Sequence, residues 1–557
     1  MSEKIFIGVA WPYADGPLHL GHVAGAYLPP DIFARYHRIK GHEVLMVSGS
    51  DQHGTPITIK AEQEGKKPGE IASQYHQQFL ESWQKLGISF DLFTSTDTAN
   101  HAEVSHDIFL ALLNKGYIYK STVSQAFCPH CQRFLSDRYI EGTCPYCQSS
   151  GARGDQCDDC GKPINSIELI EPRCRLCADT PQFKDSEHFF LKLTAFEDRL
   201  LNWVKQQTHW RQNVLNFTTR YLEGGLKDRA ITRDIEWGVS VPLDGFEDKR
   251  LYVWFEAVIG YLSATKEWAR SQGDAGKWRS FWEGEVKSYY FIGKDNIPFH
   301  TIIWPAMLMG YGNLNLPYDV PANEFLTIEG RKLSTSRNWA VWLPDYLSRY
   351  DPDPLRYLLS INMPETGDTN FSWHEFVRRN NDELVATYGN LVHRVLTFVY
   401  RNFDGCVPIA GELDSRSQDL LNKATDTLGK IDELLYRCHF REALRSAMSL
   451  AQETNRYLDE TSPWKVIKQS RQEAADSLYV ALCLISLLKT ILYPFLPFSS
   501  QKVHGYLGFE GRVEDNGWQP HPPLPGQRLL PPEPLFSKLD EKLIEEETSR
   551  LGHGQHQ

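Results

Sequence analysis

KIFIGVAWPYADGPLHLGHVAGAYLPPDIFARYHRIKGHEVLMV, residues Lys4 to Val47, contains two strands and a helix in one reading. Lys4 to Ala10 is a short apolar run ending at Trp11-Pro12, which predicts a buried strand followed by a turn. From His22 to Ile39 apolar residues recur at helical spacing (Val23, Tyr27, Ile32, Phe33, Tyr36), and Gly41 stops the helix. Val44 to Val47 is a second buried strand. Strand, helix, strand at this length is a βαβ unit, whose crossover is right-handed. Further strand-like runs at 287–292 and 324–328 extend the sheet after a long insertion. Beyond Asp368 the texture becomes helical: Leu420, Leu421, Ala424, Leu428, Ile431, Leu434 and Leu435 mark the packed face of a helix bundle. The proline-rich stretch 514–534 reads as an extended linker to a charged helix over 537–550.

Composition fits this α/β plus helical picture. The chain has 557 residues, 41% hydrophobic and 23% charged, so it can bury several cores. Its net charge of −12 argues against a non-specific nucleic-acid coat, though not against local RNA-binding patches. No apolar run in the sequence reaches the ~20 residues that span a bilayer, and the start, Met1-Ser2-Glu3-Lys4, is not an export signal. These features predict a cytoplasmic protein without a membrane segment.

Three segments carry chemistry. Tyr13 to His22 lies between the first strand and its helix, where an α/β sheet presents ligands. Gly16 and Pro17 make the turn there, and Gly21 permits close approach of a ligand. His19 and His22 stand at a helix N-terminus, placed to donate to phosphate oxygens. Gly330 to Arg337 (GRKLSTSR) follows the strand-like run ending near Ile328, and its cations and hydroxyls suit pyrophosphate. Eight of the eleven cysteines form four C-x-x-C pairs: Cys128/Cys131, Cys144/Cys147, Cys157/Cys160 and Cys174/Cys177. Without an export signal, such pairs read as zinc ligands, and eight thiolates make two tetrahedral structural sites with no open position for catalysis. The pairs can combine sequentially or nested. Cys406, Cys438 and Cys483 stand alone in helical patterns and are expected to be buried.

An H-x-G-H followed far downstream by K-x-S-x-S resembles the signature pair of class I aminoacyl-tRNA synthetases. Gly49 to Pro56, Tyr252 to Ala257, Phe291 to Asp295, Phe299-His300, Asn390 to Arg394 and Ser462 to Trp464 are similar, in order, to segments of the methionyl-tRNA synthetases. The likeness runs from Ile5 to Trp464. It implies a Rossmann-type parallel-sheet catalytic domain with a zinc-knuckle insertion, followed by an α-helical anticodon-binding bundle. The implied domains are a first catalytic half (1–115), the insertion (116–229), a second catalytic half (230–320), a stem-contact region with the K-L-S-T-S loop (321–370), and the bundle with its C-terminal linker and helix (371–557).

The resemblance also implies the chemistry. Methionine and ATP give methionyl-adenylate, and the methionyl group then passes to tRNA(Met). Catalytic roles fall to His19, His22 and Lys332. ATP is held by His19, Gly21, His22, Gly293, Asp295, Lys332, Ser334 and Thr335, with Mg2+ accompanying its phosphates. Methionine is held by Tyr13, Asp51, Trp254, Ala257, Tyr261 and His300, with Asp51 meeting the amino group. Asn390, Arg394 and Trp464 face the anticodon. Relatives with one zinc resemble this chain at the inner two cysteine pairs and lack the outer two, which implies nested pairing. Relatives that dimerise do so through an added C-terminal domain not seen here, so a monomer is expected.

Three positions depart from the family. Thr335 replaces the second lysine of its K-M-S-K-S loop, Trp11 stands where a smaller apolar residue is common, and Val258 where some relatives have proline. Leucine, isoleucine or valine enzymes of the class carry a large editing domain, whereas this insertion is short and rich in cysteine pairs. A cysteine-specific relative uses catalytic-site zinc, for which no ligand set appears near His19. A non-catalytic RNA-binding protein with zinc knuckles leaves His19, His22, Asp295 and Lys332 unexplained.

Overall fold

The computed structural model describes residues 2–135, 139–154, 157, 159–160, 164, 166–335 and 337–553. At its centre is an all-parallel five-stranded sheet in the order Ala322–Asn323, Lys287–Gly293, Lys4–Val9, Glu43–Ser50, Leu92–Ser95. Ile5, Phe6, Ile7 and Val9 are fully buried. A parallel strand covered on both faces reads as an unbroken apolar run rather than an alternating one. Gly8 fits because a Cβ there would lie 2.9 Å from the rings of Tyr261 and Tyr290.

Strand Lys4–Val9 is where the order of the sheet reverses. The chain first builds outward to Glu43–Ser50 and Leu92–Ser95, then returns after the insertion to place Lys287–Gly293 on the other side. Such a switch point opens a crevice beyond the strands' C-terminal ends. The chain leaves Lys4–Val9 into a nearly continuous helix, Leu20–Ile39, whose turn Val23–Tyr27 is a π-helix. That helix is tied to the C-terminal half by Asp31, which accepts from Arg356 at 2.6 Å with both side chains fully buried.

The run 324–328 does not extend this sheet as its apolar character predicts. Ala322–Asn323 complete the sheet, and Leu326–Ile328 instead pairs with Thr369–Phe371 and Arg331–Lys332 in a separate three-stranded sheet. The chain turns away at Glu324, whose N–H bonds Pro364 and whose carboxylate binds Lys294.

The insertion is a long antiparallel arm. Ile118–Cys128 pairs with Gln182–Leu191 from Ile118 opposite Leu191 to Phe127 opposite Gln182. Beyond its tip, Leu135, Tyr139, Ile140, Ala152, Ile164 and Leu169 bury themselves around the cysteines as a small separate core.

The helices Asn390–Asn402, Ser415–Tyr436, Phe440–Thr461 and Arg471–Leu492 form the bundle. Arg471–Leu492 is long and apolar enough by composition to cross a membrane, but 83% of its apolar window is buried inside the bundle. The final helix begins at Lys542 rather than 537. The proline-rich segment before it is no free linker: Leu529 is buried, residues 526–529 exchange backbone hydrogen bonds with 405–407, and Leu535 and Phe536 just beyond it are buried as well. Of the lone cysteines only Cys438 is buried; Cys406 and Cys483 are partly exposed.

Candidate active site

The two signatures separated by more than three hundred residues meet over the switch point. His19 and Trp342 form an antiparallel bridge, Leu20 N–H donates to Val341 O at 3.1 Å, and Leu343 N–H to Leu18 O at 2.7 Å. Gly21 faces Leu333 of the K-L-S-T-S loop so closely that a Cβ would lie 2.5 Å from Leu333 Cδ1.

His19 and His22 stack with ring centroids 3.7 Å apart and planes 12° from parallel. Each Nδ1 accepts the other residue's backbone N–H, at 3.3 Å for His19 and 3.2 Å for His22. A ring nitrogen that accepts carries no proton, so in the neutral ring the hydrogen sits on Nε2. Burial holds His19 at about 4 and, with the charge of His19 adding to burial, His22 well below the ordinary histidine value. Both rings are therefore neutral near pH 7, each with an Nε2–H available for a phosphate oxygen.

In the loop, Ser334 and Trp339 exchange backbone hydrogen bonds at 3.1 and 2.9 Å and close a tight hairpin. Arg331 lies over the Trp339 ring, and Arg337 Nε donates to Ser334 Oγ. Two of the loop's cations are thus held by loop neighbours, whereas Lys332 is exposed and has no ion-pair partner among the described residues. Thr335 is exposed at the hairpin, and Ser336 lies outside the described residues. Gly293 ends the strand beside Lys4–Val9, and Asp295 follows in the next turn, exposed at the same edge of the sheet.

The aromatic residues form a second group next to this edge. Trp254 Nε1 donates to Tyr13 OH at 2.6 Å, and Tyr13 is bridged to Asp51. His300 Nδ1 pairs with Asn296 O at 2.9 Å, so its Nε2 accepts the Tyr261 hydroxyl at 2.7 Å. Burial keeps that imidazole neutral, at about 4. Ala257 lies one turn beyond Trp254 and one before Tyr261 on the same helical segment. Trp11 is wedged between two glycines: a Cβ at Gly49 or Gly260 would lie 2.2 or 2.7 Å from its indole. The large residue at this unusual position is accommodated by backbone without side chains.

Asp51 is buried, and its Oδ1 accepts the His53 backbone N–H at 3.2 Å. Burial first, then the nearby Glu256 carboxylate, push its pKa well above the usual range. Glu256 is itself wholly buried, accepting from His53 Nδ1 at 2.8 Å and His101 Nε2 at 2.5 Å. Neither imidazole nor Glu256 received a role from the sequence, although His53 and Glu256 lie inside the quoted segments. Only their convergence from positions 53, 101 and 256 gives them meaning.

The cysteines gather as two tetrads, Cys128/Cys131/Cys174/Cys177 and Cys144/Cys147/Cys157/Cys160. The recorded sulfur pairs are 3.4, 3.9, 3.9 and 3.7 Å apart. A tetrahedron with bonds of about 2.3 Å has an edge of about 3.8 Å, so both sets fit a metal the size of zinc. In the bundle, the Arg394 guanidinium lies 4.4 Å over the Trp464 ring while its nitrogens reach Asn455 and Asp459. Asn390 is exposed one turn earlier on the Arg394 helix.

Comparison with known proteins yields one family. The model described as tRNA synthetases class I (M) matches residues 5–396, and that described as the anticodon binding domain of methionyl tRNA ligase matches 407–556. The chain is 65% identical over 552 residues to the methionine–tRNA ligase of Dehalococcoides mccartyi (strain CBDB1), covering 99% of this chain and 100% of that one. It is 54% identical to the methionine–tRNA ligase of Thermomicrobium roseum, covering 99% of each. Among solved structures, Mycobacterium tuberculosis methionyl-tRNA synthetase in complex with methionyl-adenylate matches with a TM-score of 0.81 and 26% identity, over 96% of this chain and 99% of that one.

Proposed function

The chain belongs to the methionyl-tRNA synthetase family, and from that premise we propose how its own residues join methionine to tRNA. The enzyme is a methionine–tRNA ligase working through methionyl-adenylate. A methionine carboxylate oxygen attacks the α-phosphorus of ATP and pyrophosphate leaves; the tRNA 3′ end then takes the methionyl group and AMP is released. The first step needs in-line positioning and stabilisation of developing phosphate charge.

In our reading, the Nε2–H groups of His19 and His22 bind the phosphates and Lys332 meets the departing pyrophosphate. Gly293 and Asp295 hold the adenosine, Ser334 and Thr335 donate hydrogen bonds, and Mg2+ arriving with ATP would supply positive charge to its phosphates. Tyr13, Trp254, Ala257, Tyr261 and His300 enclose the thioether, where each sulfur–ring contact contributes roughly 0.3–1.5 kcal/mol. A neutral His300 suits that role, because a charged ring beside an apolar side chain is costly. Asp51 pairs with the ammonium group. Asn390, Arg394 and Trp464 read the anticodon, with Arg394 displaced from the indole when a base stacks there. Each cysteine tetrad would hold one Zn2+ that cross-links the insertion's tip, its four thiolates leaving no open position for chemistry. We take the protein to act as a cytoplasmic monomer, where methionine, ATP and tRNA(Met) are all present.

The observation that supports this most is the backbone bonding of Leu18–Leu20 to Val341–Leu343, with Gly21 packed against Leu333 of the K-L-S-T-S loop, over the sheet's switch point. The test is pyrophosphate exchange with each standard amino acid. Methionine alone is expected to support rapid exchange; faster exchange with any other amino acid overturns the assignment.

A further inference from the structure

We propose that Glu256 is a positioning residue for amine recognition: it clamps together the two segments that line the methionine site and keeps the His53 imidazole away from Asp51. The proposal rests on the reading of Asp51 given above. Glu256 sits between Trp254 and Ala257 on one lining segment, while Asp51 and His53 belong to the other. Its Oε1 takes His53 Nδ1 at 2.8 Å; its Oε2 takes His101 Nε2 at 2.5 Å, and His101 Nδ1 is tied in turn to Ser263 Oγ at 2.9 Å. The carboxylate therefore fastens strand-end residue 53, helix residue 101 and the segment 256–263 at one buried point.

The arrangement solves a problem of competing charge. Asp51 lies two residues from His53 and already accepts its backbone N–H. If that imidazole turned to Asp51, it would occupy the carboxylate that the substrate ammonium needs. Glu256 occupies the imidazole instead, and Asp97 stands 3.9 Å from its other nitrogen. Asp51 is left with no ion-pair partner among the described residues, buried beside Tyr13. A buried carboxylate is costly unless fully paired, and apolar residues of similar volume often serve stability as well. Retaining an ionised group here is therefore explained by what it does to its neighbours rather than by stability alone.

The experiment compares Glu256→Gln, Glu256→Asp, Asp51→Asn and the double variant His53→Gln/Glu256→Gln. Each is assayed for KM of methionine, KM of ATP, and the preference for methionine over 4-(methylsulfanyl)butanoate, which lacks the amine. Glu256→Gln should raise the methionine KM about tenfold, leave the ATP KM in place, and lower the amine preference by a similar factor. The double variant, with no imidazole left to restrain, should recover most of that preference. If Glu256→Gln does not fold, Glu256→Asp is read instead; its shorter arm cannot reach both imidazoles, and an intermediate loss of preference is expected. Unchanged amine preference in the folded Glu256 variants, with only stability or kcat reduced, overturns the proposal. If Asp51→Asn also leaves the preference unchanged, the underlying reading of Asp51 fails; if Asp51→Asn abolishes it, only the role of Glu256 fails.

Discussion

Gly21 lies directly beneath Leu333, so close that a single added methyl carbon would come within 2.5 Å of Leu333 Cδ1 and 3.0 Å of His19 Cε1. The contact sets the K-L-S-T-S loop against the segment that carries the stacked histidines. Gly21→Ala should push the loop outward and lower the rate of adenylate formation roughly 10–100-fold, since misplacing catalytic groups by about 1 Å can cost that much. Equilibrium methionine binding should hold, and Gly21→Ala/Leu333→Ala should recover part of the rate. A single variant with normal pre-steady-state kinetics would show that the loop does not depend on this contact.

Arg331 and Arg337 are engaged within the loop, which leaves Lys332 as the cation we propose for pyrophosphate. Lys332→Ala should reduce adenylate formation by about 10²–10³ with little change in methionine binding, because a contact made mainly in the transition state affects rate. Thr335→Ala should cost less, since a neutral hydroxyl offers one hydrogen bond, and Thr335→Lys should be tolerated. Rapid-quench measurement of all three decides it; a near-normal Lys332→Ala alongside a crippled Arg337→Ala reverses the assignment.

The two cysteine tetrads predict about two zinc ions per chain. Cys128→Ser should release metal from the outer site and leave Cys144, Cys147, Cys157 and Cys160 metallated. Elemental analysis of the folded variant gives the answer, and loss of both ions would contradict two independent sites.

Trp464 is far along the chain from the adenylate residues and lies under Arg394. Trp464→Ala should weaken aminoacylation of tRNA while leaving methionine activation within about twofold, base stacking being worth roughly 1–3 kcal/mol. Equal losses in the two assays would remove Trp464 from anticodon recognition.

The His53–Glu256 pair gives a pH dependence with a defined sign. Burial opposes a charged His53, but the Glu256 carboxylate outweighs it and raises the imidazole from 6.5 to about 10. Its stabilisation is therefore complete below pH 6.5 and is lost as pH rises toward 10. Burial likewise opposes ionised Glu256, yet His53 and His101 draw it from 4.5 to about 2, so that contribution is present above 4.5 and fades as pH falls toward 2. The urea midpoint of the wild type should exceed that of His53→Gln most at pH 6, with the gap narrowing by pH 9.5. A gap that widens toward alkaline pH would refute the pair's polarity.

The apolar run Lys4–Val9 and the helical spacing after His22 determined a parallel α/β sheet, because burial on both faces of a strand and on one stripe of a helix leaves local patterns. The C-x-x-C pairs likewise pointed to two four-cysteine clusters, each pair being a local feature with its own ligand spacing. What joins Cys128 to Cys177 is different: it is the antiparallel register of Ile118–Cys128 with Gln182–Leu191, which carries the outer pairs to one tip. No local spacing encodes that register. The run 324–328 misled for the same reason, since a strand's residues show that it pairs but not with which sheet. Glu256, His53 and His101 were invisible as a unit, because a buried carboxylate and an exposed one have the same letter. Only the packing of three distant segments removed water from Glu256 and made its two imidazole partners the condition of its charge.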